Sequence, residues 1–360
     1  MTQRVYLDWN ATAPLRPEAR DAMIAAMDVI GNPSSVHSEG RAAKSIVEKA
    51  RGQVAGLVGC APSEVVFTSG ATEAVSVLDA SARHGVDVFV DETAHDALWA
   101  YKSMSHWTSE SHGHSWAIGM ASGETGIIGT PPDLSDGQYE YAPGVTAAWL
   151  LLDICQLLGR VPFSFSKQTA QFAIASAHKL GGPKGVGCLI VRSGNDVSPL
   201  LKGGGQEMGR RSGTENVIGI AGFGAAAEAA QRDLANGAWD RVARMRDSME
   251  TMIMDAAPEA IVFGKDDPRL PNTANFAVSG WKGETQVMQM DLAGFAVSAG
   301  SACSSGKVKE SRVLRAMGFD SLTASSAIRV SMGPTTTPAE VTAFADTWID
   351  YYRRFKARAA

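Results

Sequence analysis

The 360-residue sequence lacks the marks of a membrane protein or a nucleic-acid-binding protein. It has no run of about 18 apolar residues, and its N-terminus enters a strand pattern at once, so we expect neither a membrane span nor a signal peptide. The net charge is −5, and acidic and basic residues are interspersed, which gives no footprint for nucleic acid. We therefore expect a soluble, cytoplasmic protein.

Cysteine is scarce and has no paired spacing. The absence of CxxC pairs excludes zinc ribbons and thioredoxin-like redox motifs, and the four cysteines are Cys60, Cys155, Cys188 and Cys303. Cys155 and Cys188 stand in or beside apolar strand runs and are expected to be inert core residues. Cys303 instead lies in a loop of small residues, so it is either a candidate nucleophile or an exposed thiol.

A glycine-containing turn after the strand pattern Glu64–Thr68 has neither GxGxxG nor a P-loop lysine, which argues against a nucleotide. The turn continues as Gly70-Ala71-Thr72 into a helix pattern. Unpaired N–H groups at a helix N-terminus suit a phosphate, and the Thr72 hydroxyl would add a donor. Since the same residues also form ordinary helix caps, the motif alone leaves both interpretations open.

A lysine and an aspartate each lie close to an apolar run, with Cys188–Val191 after the turn of Lys179 and Trp149–Leu152 before Asp153. Lys179 stands beside His178 at the mouth of a glycine-rich turn, and Asp153 ends the run Trp149–Leu152, with Gln156 close behind. Carboxyl ends of buried strands are where open α/β sheets bind ligands. An amine that forms an imine with an aldehyde, and an anion beside a ring nitrogen, are the two groups that pyridoxal phosphate requires. A solvated lysine and a helix-capping aspartate are the alternatives.

The remaining patterns alternate between strand and helix, which predicts an α/β fold. We expect a large domain over residues 13–255 and a smaller α+β domain formed by residues 1–12 and 256–360. His95 follows a predicted strand, where its ring could stack on a planar cofactor. The glycine-rich stretch before Thr214 is predicted to be a loop that reaches a ligand or a neighbouring subunit.

Six ordered motifs together resemble cysteine desulfurases of the class V aminotransferase group, a fold-type-I pyridoxal phosphate family. The motifs, in chain order, are Tyr6-Leu7-Asp8 with Asn10-Ala11-Thr12, Gly31 to His37, Phe67 to Glu73, Ser176 with His178-Lys179, Arg211 to Thr214, and the Cys303 loop leading into Val313 to Gly318. The resemblance implies a mainly parallel, seven-stranded sheet flanked by helices in the large domain. The length of the segment after Cys303 is similar to that of the group with the longer cysteine loop.

The resemblance also implies roles for the cofactor-binding residues. Lys179 would hold pyridoxal phosphate as an imine, Asp153 would pair with its ring nitrogen, and Gln156 would bind its ring hydroxyl. His95 would stack on the ring and assist proton transfer. The phosphate would be bound by Gly70, Ala71, Thr72, Ser176 and His178, and by Thr214 from the partner subunit of a homodimer.

For the substrate, the resemblance implies L-cysteine, whose carboxylate Arg329 would bind with a bidentate fork, with help from Asn32. Cys303 would take the sulfur as a persulfide, leave L-alanine, and deliver sulfur to an acceptor such as an iron–sulfur scaffold or a tRNA-thiolation protein. The alternatives are a selenocysteine lyase, an aminotransferase of the same fold, or a non-catalytic homologue that only binds partners. One departure is Ser122-Gly123, where the family usually has two asparagines.

Overall fold

The structure, a computed structural model, describes residues 4–79, 86–103, 114–199, 201–300 and 310–359. The chain forms two compact units. The larger unit comprises Pro14–Met120 and Gly129–Arg232, and the smaller unit comprises Met1–Ala13, Ala121–Ile128 and Asp233–Ala360.

The strands of the described residues are, in chain order, β1 Val5–Tyr6, β2 Val65–Thr68, β3 Val88–Val90, β4 His114–Gly119, β5 Leu134–Ser135, β6 Gln138–Ala142, β7 Val145–Asp153, β8 Phe172–Ser176, β9 Gly187–Val191, β10 Ile261–Val262, β11 Thr273–Ala277, β12 Phe295–Ala296, β13 Ser298–Ala299 and β14 Ala327–Ser331. The α-helices are α1 Pro17–Met27, α2 Ser38–Val58, α3 Ala71–Ala74, α4 Asp96–Trp99, α5 Val217–Ala235, α6 Ala238–Ala256, α7 Gly283–Leu292, α8 Arg312–Ala316, α9 Ser321–Ala324 and α10 Pro338–Ala359.

The larger unit contains a mixed sheet with the strand order β2-β9-β8-β7-β4-β3. Strands β8, β7, β4 and β3 pair in parallel, and β9 runs antiparallel to both β8 and β2. This arrangement confirms the predicted α/β fold with a mainly parallel sheet. Because β2 therefore runs in the same direction as β8, five strands present their carboxyl ends at one edge.

The predicted number of seven strands is wrong, because the sheet has eight strands in the described residues. The extra pairing comes from the β5–β6 hairpin, whose second strand pairs with β7. Its turn has Asp136 and Gly137 in the left-handed region, at φ 51° and 76°. Asp-Gly is the sequence typical of such a two-residue hairpin turn, so the signal was present in the sequence.

Three strands of this sheet, the edge strand β2 and the inner strands β9 and β8, are buried along their whole length. Such burial is typical of strands that read as continuous apolar runs. In β7 the leucines Leu150, Leu151 and Leu152 are buried, whereas the side chain of Trp149 is 43% exposed. The apolar run that precedes Asp153 is therefore a core strand only over its last part.

Helix α5 packs unusually close to its neighbours in the larger unit. A methyl group on Gly222 would lie 2.7 Å from Cγ of Met23, and one on Gly224 would lie 2.6 Å from Cα of Ala50. Real side-chain carbons do not approach so closely, so a larger residue at position 224 would displace the backbone at Ala50, and one at position 222 would displace the Met23 side chain.

The smaller unit contains the antiparallel sheet β10-β11-β14-β13 and the parallel pair β1-β12. Its core is rich in aromatic residues, and the fully buried ring of Trp348 packs against Phe276 and Trp281 with centroid distances of 5.2 Å each. The indole N–H of Trp348 donates to Oε1 of the buried Gln286 at 2.9 Å, which satisfies a polar group that would otherwise be costly to bury.

The two units differ from the predicted domain limits at residues 13, 121–128 and 233–255, which group with the smaller unit. Helix α6 does so because it contributes Trp239, Val242, Met249 and Ile253 to the core of that unit. As limits of independently folding parts of the chain, the domain limits given above stay a prediction. In the part of the chain that the structure describes, no helix combines the length and apolarity that crossing a membrane requires.

Candidate active site

The carboxyl edge of the large sheet gathers most of the predicted cofactor-binding residues. Asp153 is the last residue of β7 and Ser176 the last of β8, and these strands are parallel neighbours. His95 follows β3, and the turn at Gly70 follows β2. Because all these strands point the same way, the groups that follow them lie along one edge, where open α/β sheets bind ligands.

Asp153 is half-buried, and one of its oxygens, Oδ1, accepts a hydrogen bond from the N–H of Cys155 at 2.9 Å. Burial, followed by the charge of Asp153 and a hydrogen bond with it, raises the pKa of the Cys155 thiol well above its ordinary value. Burial likewise raises the pKa of Cys188. Both thiols therefore stay protonated and buried, which confirms their predicted place in the core.

Lys179 ends the 3-10 turn Ala177–Lys179 that follows β8, and it is half-buried. Arg160 joins this turn to Gln156. Its Nη1 donates to Oε1 of Gln156 at 2.6 Å, and its Nη2 donates to the carbonyl oxygen of Lys179 at 3.2 Å. The sequence-based analysis missed this buried arginine, although a charged residue four positions after Gln156 within an apolar stretch was a usable signal.

His178 has strongly electropositive surroundings. Burial, and then the charges of Lys179, Lys184 and Arg160, lower the pKa of its imidazole to about 4. The ring is therefore neutral at pH 7 and offers one N–H donor and one acceptor. Positive charge gathered around a half-buried polar group favours an anion at this place.

The turn after β2 is held in shape by short contacts. The Thr68 hydroxyl donates to the carbonyl oxygen of Gly70 at 2.9 Å, and the Glu73 carboxylate accepts from the N–H of Ser69 at 2.7 Å. A methyl group on Gly187 of β9 would lie 2.7 Å from Cα of Gly70, so glycine lets the two backbones meet. Thr72, in the first turn of α3, is exposed.

Glu73 connects this turn to the loop that carries Thr214. Arg211 donates through Nε to Glu73 Oε1 at 2.8 Å. Burial alone would raise the pKa of Glu73, but hydrogen bonds from Arg211 and Ser69 outweigh it and hold that pKa below its ordinary value. Thr214 itself is exposed, and within the described residues no hydrogen bond joins it to the other predicted phosphate-binding groups.

His95 and Asn32 both take part in local turns. His95 is exposed and caps α4, because its Nδ1 accepts from the N–H of Ala97 at 3.1 Å. In the neutral ring this contact leaves the proton on Nε2. The exposed Asn32 accepts at Oδ1 from the N–H of Ser34 at 2.9 Å, which closes a short turn in its loop.

Arg329 lies in the smaller unit, on β14, and is only 2% exposed. Its Nη2 bonds to Oδ1 of Asp8 at 2.7 Å, and its Nη1 donates to the carbonyl oxygen of Gly123 at 3.0 Å. Its Nε is buried and has no hydrogen-bond partner among the residues that the structure describes. A buried, unsatisfied donor is unfavourable, so this arginine suits an additional acceptor such as a carboxylate.

Asp8 and Asn10 hold Arg329 in place, Asp8 through the ion pair and Asn10 through the shared Gly123 oxygen, and neither role was predicted from the sequence. The second oxygen of Asp8 accepts from the Ser298 hydroxyl at 2.8 Å, and the side chain of Asn10 donates to the same Gly123 oxygen at 3.1 Å. Although Ser122-Gly123 stands where the family usually has two asparagines, the main-chain carbonyl oxygen of Gly123 contacts Arg329. Cys303 lies outside the described residues, as do its neighbours 301–309.

The residues at the edge of the large sheet fit pyridoxal phosphate by their chemistry. They offer a carboxylate at Asp153, an amine at Lys179, hydroxyls at Thr72 and Ser176, and the positive surroundings of His178 that a phosphate would neutralise. Pyridoxal phosphate requires an amine for its aldehyde, an anion for its ring nitrogen and favourable contacts for its phosphate, and this edge of the sheet supplies all three.

Comparisons with known proteins agree with this arrangement. The family model "Aminotransferase class-V" matches residues 5–109 and 114–344. A cysteine desulfurase of Enterobacter agglomerans is 34% identical over 94% of this chain and 90% of its own length, and one of Cereibacter sphaeroides is 36% identical over 94% and 93%. A solved NifS-like protein of Rickettsia africae superposes with a TM-score of 0.83 at 27% identity, covering 98% of this chain and all of its own. The chain therefore belongs to the pyridoxal-phosphate-dependent class-V aminotransferase family, together with the cysteine desulfurases that it is similar to.

Proposed function

We propose that this protein is a cysteine desulfurase that converts L-cysteine to L-alanine and leaves the sulfur on Cys303. The observation that supports it most is the joint placement of Lys179, Asp153 and His178, with its electropositive surroundings, along one sheet edge in a chain of this family. The reaction balances as L-cysteine plus the Cys303 thiol giving L-alanine plus the Cys303 persulfide. The C–S bond of the substrate breaks, an S–S bond forms, and a proton ends on the β-carbon of alanine.

When bound, pyridoxal phosphate supplies an electron sink that stabilises negative charge at the substrate carbons. Asp153 would keep the ring nitrogen protonated, since it places an anion beside that atom. Gln156 would bind the ring hydroxyl and is oriented by Arg160. The phosphate would be bound by the turn at Gly70, Ala71 and Thr72, with Ser176 and His178.

Proton transfer falls to two described residues. The Lys179 amine would remove and return protons at the substrate carbons once it is free of the cofactor. His95 carries its neutral-form proton on Nε2, because Nδ1 is used by the N–H of Ala97. The same ring would stack on the cofactor and handle the proton of the attacking thiol. A thiol of ordinary pKa, about 8.5, is mostly protonated at pH 7 and needs this help.

Arg329 would bind the substrate carboxylate. Its Nε is a buried donor that no described residue pairs with, and Asp8 with the Gly123 carbonyl holds the guanidinium plane in position. A substrate carboxylate would accept a hydrogen bond from this donor, so substrate binding would remove the cost of leaving the donor buried without an acceptor. Asn32 is proposed as a second contact to the same carboxylate.

We also propose a homodimer in the cytoplasm, in which Thr214 reaches the cofactor phosphate of the partner subunit. Two apolar side chains of the larger unit, Ile30 and Val36, are 84% and 87% exposed, and Met208 is exposed in the Thr214 loop. Contiguous apolar surface marks protein interfaces, and we propose that these side chains contribute to such a surface in the homodimer. The persulfide would pass its sulfur to a protein acceptor such as an iron–sulfur scaffold or a tRNA-thiolation protein.

The test compares wild type with Cys303→Ala, using L-cysteine and an excess of a thiol reductant. Wild type is expected to release sulfide and alanine in equal amounts, because two reductant thiols reduce each persulfide to sulfide and regenerate Cys303. Cys303→Ala is expected to release neither while it still binds the cofactor. Cys60→Ala is the matched control, since this half-buried thiol has a pKa that burial raises to about 12. Full turnover by Cys303→Ala would overturn the proposal and favour a lyase or aminotransferase that does not need the thiol.

A further inference from the structure

A carboxylate of the smaller unit, Glu124, contacts the residue that begins the helix after the Cys303 segment. Its Oε2 accepts a hydrogen bond from the Ser311 hydroxyl at 2.5 Å. Glu124 is half-buried and Ser311 is fully buried. Short hydrogen bonds to a charged acceptor, away from water, are among the stronger ones in proteins.

The orientation of the Ser311 hydroxyl is determined by a second contact. Its oxygen accepts from the N–H of Leu314 at 3.0 Å, which caps helix α8. A hydroxyl has one proton to donate, and the amide of Leu314 already uses one acceptor site of the oxygen. The proton is therefore directed to Glu124, and the helix start and the carboxylate are held together.

The other end of the Cys303 segment meets the same carboxylate. A methyl group on Gly300 would lie 3.8 Å from Oε2 of Glu124 and 3.8 Å from Cβ of Ser311. The N–H of Gly300 donates to the carbonyl oxygen of Ala327 at 3.1 Å. Gly300 and Ser311, which flank residues 301–310 in the chain, thus converge beside Glu124.

Glu124 belongs to a turn that also holds Arg329. The preceding residue, Gly123, accepts from Arg329 Nη1 through its carbonyl oxygen at 3.0 Å. The carbonyl oxygen of Glu124 accepts from the side chain of Asn275 at 3.1 Å, and the Ser122 hydroxyl accepts from the N–H of Glu124 at 3.2 Å. The turn 122–124 therefore contacts both Arg329 and Ser311, and Ser311 together with Gly300 forms the base of the segment that bears Cys303.

We propose that Glu124 is a positioning residue for sulfur transfer, which fixes the base of the segment bearing Cys303 to the turn that holds Arg329. This inference rests on the proposed function, in which Arg329 binds the substrate and Cys303 attacks its sulfur. Misplacement of reacting groups by about 1 Å can cost on the order of 100-fold in rate. Loss of the Glu124 contact should therefore slow the sulfur-transfer step and leave substrate binding intact.

The experiment measures single-turnover alanine formation and the KM for L-cysteine in the holoenzyme. Glu124→Ala is expected to lower the first-turnover rate about 10- to 100-fold and to change KM by less than about 3-fold. Glu124→Gln keeps an oxygen acceptor for Ser311 and is expected to recover to within about 3-fold of wild type. The matched control is Glu310→Ala, because Glu310 is an exposed neighbour of the same segment that contacts Arg315 and Ser321.

A second variant tests the contact from its other side. Ser311→Ala is expected to slow the same step, and adding Glu124→Ala to it should cause little further loss, since both changes remove one interaction. The inference is overturned if Glu124→Ala turns over as fast as wild type, if Glu124→Gln is as slow as Glu124→Ala, or if the two losses multiply. A failure of the proposed function would give a different result, in which wild type forms no alanine or Cys303→Ala still forms alanine.

Discussion

Arg51 and Glu207 form a buried, two-pronged ion pair in the larger unit. Nη1 and Nη2 of the arginine each lie 2.8 Å from a different oxygen of the glutamate, and Oε2 also accepts from the N–H of Phe67 at 2.8 Å. Glu207 and Met208 both have left-handed backbone angles, with φ 49° and 58°. Such angles are unfavourable outside glycine, so the ion pair holds the Thr214 loop in a conformation that the loop would otherwise avoid.

Breaking this pair should destabilise the larger unit strongly. Arg51→Met leaves a buried carboxylate without its partner, which typically costs about 3–5 kcal/mol. We expect the urea midpoint of unfolding, followed by circular dichroism, to fall accordingly. The double variant Arg51→Met/Glu207→Leu should regain most of the loss, because no buried charge remains.

The control for that change is Arg232→Met. Arg232 pairs with Glu18 at 2.9 Å, but both side chains are about half exposed. Surface pairs of this kind contribute less than about 1 kcal/mol. An Arg51→Met variant as stable as Arg232→Met would contradict the importance assigned to the buried pair.

Arg211 should matter for cofactor affinity. Arg211 bonds to Glu73, and Glu73 also holds the N–H of Ser69 in the turn before α3. We expect Arg211→Met to weaken binding of pyridoxal phosphate to the apoprotein about 5- to 10-fold, which is about 1–1.4 kcal/mol. Titration of the apoprotein, followed by absorbance, measures it. Arg210→Met is the matched control, since the half-buried Arg210 donates to the carbonyl oxygen of Ser63 at 3.1 Å and, among the described residues, makes no bond to Glu73. Equal affinities of the two variants would contradict the prediction.

His178 should make the apoprotein sensitive to acid. Its pKa is about 4 in the folded chain and about 6.5 when unfolded, so between these values the unfolded state binds a proton that the folded state does not. Stability should therefore fall as the pH drops through this window, by about 1–2 kcal/mol once solvent contact of the ring is considered. His178→Gln should remove this part of the pH dependence.

The measurement is urea unfolding of both apoproteins at about pH 7 and about pH 4.5, together with an NMR titration of the His178 ring. A titration midpoint near the ordinary histidine value would contradict the electropositive surroundings described above. Bound phosphate is expected to raise the pKa of the ring, because an anion offsets the charges of Lys179, Lys184 and Arg160.

The parts of the site that the sequence predicted are those carried by local patterns. Asp153 and Ser176 both end apolar strand runs, and parallel pairing alone brings such ends to one edge. Arg160 and Asp8 were missed because their roles depend on partners 19 and 321 positions away. The β5–β6 hairpin, which contributes two of the eight strands, was missed although Asp136-Gly137 signalled it.

The close fit around helix α5 has a consequence for attempts to make this protein more heat-resistant. Glycine in a helix interior costs about 1 kcal/mol relative to alanine, so Gly222 and Gly224 look like obvious positions to improve. At these two positions an added methyl group would instead collide with Met23 and with the backbone at Ala50. The gain in helix propensity would be outweighed by overpacking, which typically costs about 1–3 kcal/mol. Alanine scanning for thermostability should therefore avoid this helix and begin with the glycines that have open space around them, such as Gly52 of α2.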